Sequence, residues 1–143
     1  IWMARKIWAP GMLFIYGAKV EATGLENIDR SKPYIYIANH QSFLDIPVLF
    51  SALQVNIYFI AKEELKKMPF VGWYMMAVGM IFIDRSDRRK SLLSLKKAAG
   101  IIDGGQDVIM FPEGTRTRDG EIGSFKKGTF VLASMANVDL LPI

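Results

Sequence analysis

At 143 residues and 16.1 kDa, the chain has the size of one domain with its own core. With no cysteine, disulfides, thiolate metal sites and an acyl-enzyme on cysteine are excluded, and a single histidine gives no basis for expecting a metal centre. Hydrophobic residues reach 51%, mean hydropathy is +0.20 and net charge is only +4, a greasy balance that suits a lipid partner.

The chain opens inside an apolar stretch without an initiator methionine and closes on a strand-like run, so it is expected to be part of a longer protein. Over residues 1–20, Trp2, Trp8, Phe14 and Tyr16 interleave with Arg5, Lys6 and Lys19. The uncharged run 7–18 is shorter than the ~20 residues a bilayer span needs and holds Pro10 and Gly11. Two readings stand: a membrane-associating segment, as interfacial helices or the end of a truncated anchor, which sets residues 1–23 apart from a domain over 24–143, or a helix packed on that domain's core.

Beyond residue 30, β-rich runs alternate with helix-length segments. Strands are predicted over 34–38, 56–61, 80–84, 107–111 and 139–143, and helices over 45–53, 63–78, 88–103 and 126–136. The uncharged run 68–83 reads as buried core, a helix followed by a strand. Apolar strands alternating with helices predict an α/β fold with a largely parallel sheet covered on both faces. Three strands run into unusual polar turns, 39–42, 84–86 and 112–116. Ligands of open α/β sheets bind beyond the carboxyl ends of the strands, so these turns are expected to converge.

The first turn holds the only histidine, His40, five residues before Asp45. On an ideal helix that spacing separates side chains by ~140°, so contact requires a loop bending into a helix start. Ser42-x-x-Asp45 resembles a capping box. Asp45 is therefore either a cap or the partner that orients His40 as a general base, and His40 alone could be no more than a satisfied polar residue at a strand end.

In the second turn, Arg85 can grip a phosphate bidentately or pair with Asp84 or Asp87. In the third, Pro112 removes a backbone donor and Gly114 allows close approach, while Glu113 and Arg116 flank it with opposite charges. These two can hold an acceptor's hydroxyls and phosphate, or brace the turn as an ion pair. Lys62, at the end of the second strand, is a further basic candidate. Lys126 and Lys127 are weaker ones, and Arg116 with Arg118 forms another basic cluster. The cations lie scattered over strand ends and form no stripe with stacking aromatics, so no nucleic-acid partner is expected.

Together the three turns resemble the motif set of the 1-acylglycerol-3-phosphate acyltransferases of the bacterial PlsC type. Asn39 to Asp45 reads NHQSFLD, Gly79 to Arg85 reads GMIFIDR and Phe111 to Arg116 reads FPEGTR, with Pro142 where a fourth, apolar-Pro motif would begin. The resemblance implies transfer of an acyl group from acyl-CoA or acyl-carrier protein to the sn-2 hydroxyl of lysophosphatidic acid. His40 is then general base and Asp45 its partner, with no acyl-enzyme. Arg85, Glu113, Gly114, Thr115 and Arg116, and less directly Lys62, would bind the glycerol phosphate. No metal or cofactor is implied beyond the acyl donor as co-substrate. The expected location is an anionic membrane surface, at the cytoplasmic face of a bacterial inner membrane. Rival readings are acylation of glycerol 3-phosphate or another lysophospholipid, and a noncatalytic phospholipid-binding domain.

Overall fold

The five expected strands form, each within one residue of its expected bounds. The computed structural model of the protein describes residues 1–117 and 120–143; Arg118 of the basic cluster named above lies outside them. Strands β1 (Ile35–Ile37), β2 (Ile57–Lys62), β3 (Ile81–Ile83), β4 (Asp107–Met110) and β5 (Leu140–Pro142) make one sheet in the order β3-β2-β4-β1-β5. Every neighbouring pair is parallel. All carboxyl ends therefore share one edge.

The helices are α1 (Ala9–Ile15), preceded by a π-helical turn over Ala4–Trp8, then α2 (Asp45–Leu53), α3 (Val71–Ala77), α4 (Arg88–Asp103) and α5 (Gly128–Ala136). The N-terminal helical segment and α2 bury Ala4, Ala9, Leu49, Phe50 and Leu53 against one face of the sheet, with Tyr36, Phe59 and Ile109. On the other face, α4 and α5 bury Leu95, Ala98, Ile102, Leu132 and Ala136 against Ile35, Ile81, Val108 and Met110. Adjacent strands β1 and β4 thus send their following helices to opposite faces and in opposite directions along the sheet. That splitting opens a crevice between their carboxyl ends.

Two expectations fail between residues 63 and 83. The predicted helix over 63–78 divides into a 3₁₀ segment, Glu63–Lys67, and the short α3. Pro69 is the cause: the residue before a proline is driven out of helical geometry, and Met68 is extended at φ −75°, ψ 120°. Phe70 then takes φ 61° to restart the chain. The run is also not uniformly buried core, because Phe70 is 79% exposed and Trp73 58%. A two-turn helix of wholly apolar sequence has one stripe to bury, and the rest of its circumference faces outward.

The N-terminal segment meets the reading as a helix packed on the domain's core along one stripe only. Ala4, Ala9 and Leu13 are buried, and Trp8 meets Phe50 edge-on at 6.5 Å, so one stripe packs on the domain. Trp2, Met3, Ile7, Phe14 and Ile15 remain exposed. Among the described residues, no helix is long and apolar enough to cross a membrane.

Candidate active site

The crevice between β1 and β4 brings the three turns together. His40 follows β1, and its Nδ1 lies 2.7 Å from Asp45 Oδ2 at the start of α2. The same oxygen accepts the backbone N–H groups of Gln41 at 2.8 Å and Ser42 at 2.9 Å. These donors curl the loop around the carboxylate, which is how a five-residue spacing becomes a contact. Only half of the expected capping box forms. Asp45 accepts from the Ser42 N–H, but Ser42 Oγ accepts from the Leu44 N–H, one residue short of the reciprocal bond.

A carboxylate at Nδ1 selects the imidazole tautomer that carries its proton there. Nε2 is then the basic nitrogen, with no hydrogen-bond partner among the described residues. The ring is fixed in plane by Phe111, stacked at 4.0 Å and 13°.

Glu113 is placed differently from the sequence reading. It is 2% exposed, its Oε1 accepts the His40 N–H at 2.7 Å, and its Oε2 accepts the Gly123 N–H at 2.7 Å. Both oxygens are taken up by backbone donors, because a buried carboxylate needs them. Glu113 forms no ion pair with Arg116 among the described residues. The His40 carbonyl in turn accepts from the Thr117 N–H at 3.4 Å, and Thr117 Oγ1 donates to Gln41 Oε1 at 2.9 Å. The first and third turns are therefore clasped from both sides of His40.

Around Gly114 the charges are positive. Gly114 has φ 69°, and a Cβ there would lie 3.1 Å from Lys126 Nζ and 3.2 Å from Arg85 Nη1. Neither cation has a carboxylate partner among the described residues, since Lys90 takes Asp84 at 3.7 Å and Asp87 at 4.0 Å. The two carboxylates expected as surface partners of Arg85 are thus taken by Lys90. Arg116 is exposed and stacks over the exposed Phe43 ring, Cζ 3.7 Å from its centroid. Thr115 is exposed beside it. Lys62 is exposed at the end of β2, in register with Ile83, so it shares the edge, and among the described residues it makes no hydrogen bond or ion pair with the other residues of the site.

A family model described as Acyltransferase matches residues 19–143. The chain belongs to the acyltransferase family. A chloroplastic 1-acyl-sn-glycerol-3-phosphate acyltransferase of Arabidopsis thaliana is 40% identical over 139 residues, covering 96% of this chain and 38% of the relative. A 1-acyl-sn-glycerol-3-phosphate acyltransferase of Saccharomyces cerevisiae is 37% identical over 99% of this chain and 48% of its own length. The crystal structure of the acyltransferase PlsC from Thermotoga maritima superposes with a TM-score of 0.78 at 36% identity, covering 94% of this chain and 53% of that one. The chain thus spans half or less of the curated relatives cited here.

Within this acyltransferase fold, sequence reading names His40, Asp45, Arg85 and Arg116 and ranks Lys126 lower, whereas the structure places Lys126 and Arg85 together at Gly114. Sequence reading also misses Gly123, Thr117, Phe43 and Phe111. Lys126 carries one usable signal, a Gly-Ser-Phe-Lys-Lys-Gly run after the third turn. Gly123 opens that same run and Phe43 and Phe111 stand inside the first and third motifs, but only the fold shows what they touch; nothing local marks Thr117.

Proposed function

We propose that residues 24–143 are the catalytic core of a lysophosphatidic acid acyltransferase, making phosphatidic acid for phospholipid synthesis. The observation that carries this is the His40–Asp45 contact at 2.7 Å on a turn clasped to the one where Arg85 and Lys126 meet Gly114 with no carboxylate partner among the described residues. His40 Nε2 takes the proton of the acceptor's sn-2 hydroxyl as that oxygen attacks the thioester carbonyl of acyl-CoA or acyl-carrier protein. The C–S bond then breaks, and the leaving thiolate recovers the proton from the imidazolium. No cofactor beyond the acyl donor takes part. The acceptor's phosphate sits against Arg85, Lys126 and Arg116, which fixes the hydroxyl near the base.

An apolar groove of about 510 Å³ supports a lipid substrate, a size within the ~300–1,000 Å³ usual for ligand sites. Ile46, Phe50, Phe59, Phe70 and Tyr74 line it. Phe59 stacks toward Phe111 at 6.3 Å, and Phe111 carries the His40 ring, so an acyl chain in the groove ends near the base. The exposed apolar side chains of residues 1–23 and α3 suit contact with an anionic membrane surface, in a bacterium the cytoplasmic face of the inner membrane, where the thioester donors are.

The test is full-length protein reconstituted in vesicles and supplied with lysophosphatidic acid and each donor, phosphatidic acid being measured. Formation of phosphatidic acid is expected. Acylation of glycerol 3-phosphate alone, or of a lysophospholipid without a terminal phosphate, would replace this acceptor assignment. Lys126→Ala is expected to raise the KM for lysophosphatidic acid about tenfold, since charge-assisted contacts contribute ~1.5–3 kcal/mol. Little change in kcat is expected, and a monoacylglycerol lacking the phosphate should be handled as by the wild type. An unchanged KM would remove Lys126 from the phosphate site.

A further inference from the structure

Helix α4 has an outer face that neither the fold nor the crevice uses. Its inner stripe of Leu95, Ala98, Ala99 and Ile102 is buried on the sheet. At 100° per residue, Arg89, Leu93, Lys96 and Gly100 fall within ~60° of one another on the opposite side, flanked by Leu92 and Lys97. All six are exposed, Leu93 at 56%. Among the described residues, Arg89, Lys96 and Lys97 make no ion pair.

Two features of this face go against the interest of an isolated helix. Leu92 and Leu93 sit in water among cations and gain nothing from it. Gly100 weakens the helix interior, yet nothing lies within 4 Å of where its Cβ would be, so no neighbour in the fold requires a glycine there. Cations, leucines and a position open to close approach thus lie together on one exposed helix face.

The fold also says which side this face is on. α4 packs on the sheet face opposite the N-terminal helical segment and α2, so its basic stripe points away from the exposed apolar side chains of Trp2, Ile7 and Phe14. If that apolar side meets lipid, α4 faces the aqueous phase. The helix also starts three residues after Arg85, and its two leucines stand only ~6–8 Å along the axis from that start.

Given the acyl-transfer reading, we propose that this face docks the donor in its protein-bound form, an acidic acyl-carrier protein that delivers the thioester to the crevice on its prosthetic arm. Charge complementarity identifies the occupant. Acyl-CoA is a polyanion too, but its phosphates offer the exposed Leu92 and Leu93 no apolar partner.

The experiment uses the full-length reconstituted protein, its Arg89→Glu/Lys96→Glu/Lys97→Glu variant, and a milder Leu93→Ser variant in case the triple change disturbs folding. kcat/KM is measured with acyl-carrier protein and with acyl-CoA over a range of salt. The expected result is a fall of about tenfold or more for the carrier protein, with loss of its salt dependence, and an unchanged value for acyl-CoA. Equal losses with both donors, no loss with either, or no use of the carrier protein by the wild type would each overturn the docking face while leaving acyl transfer in place. Weakened binding to anionic vesicles with unchanged carrier kinetics would assign the face to the membrane instead. No turnover with either donor would overturn the acyl-transfer reading and the docking face with it.

Discussion

His40→Ala is expected to lower kcat for phosphatidic acid formation by about 10²–10⁴-fold, the range general acid–base catalysis supplies. The acceptor should still bind, because its phosphate is held by cations on other turns. KM for lysophosphatidic acid should therefore change far less than kcat. Asp45 is the more delicate test. Its Oδ2 accepts from Gln41 and Ser42 as well as lying against His40, so alanine there would strand two backbone donors at ~1–3 kcal/mol each and confuse catalysis with stability. Asp45→Asn keeps an oxygen acceptor and removes the charge that favours the imidazolium. It should cost less than His40→Ala while shifting the melting temperature little. If Asp45→Asn matched the wild type in kcat, Asp45 would be a helix-start residue only. If His40→Ala did so, the base would have to be sought elsewhere.

The sequence makes this site legible where chemistry is local. Five short β-rich runs of mainly apolar residues, three of them closed by a polar turn, are enough to expect a largely parallel sheet and a ligand edge. His40 and Asp45 are close along the chain, so their contact needs only one bent loop. Legibility fails where the partner is a backbone group far away. Glu113 beside Arg116 looks like an acceptor-binding pair, and only the tertiary fold shows that its oxygens meet the N–H groups of residues 73 and 10 positions distant. The α3 region fails for another reason. An uncharged run does not reveal how wide a buried stripe the fold will provide, and Pro69 shortens the helix until most of its rings face out.

Glu113→Gln carries the second large effect. A glutamine side chain keeps one oxygen, so it can still accept from either His40 or Gly123, but its amide nitrogen must then face the other N–H donor. The strut between the two turns is lost with almost no change in volume. His40 then shifts relative to the acceptor, and a displacement near 1 Å is enough to cost about a hundredfold in rate. The expected result is a fall in kcat of that order with the KM for lysophosphatidic acid nearly unchanged. Gly123→Ala attacks the same strut from its far end, because the new Cβ would stand 2.9 Å from Glu113 Oε2. Gly123 has no side chain with which to bind a substrate, so a matching fall in kcat there assigns the effect to positioning of the base. A rise in KM with kcat preserved in Glu113→Gln would instead return Glu113 to the acceptor's hydroxyls, and the carboxylate would have to turn outward on substrate binding.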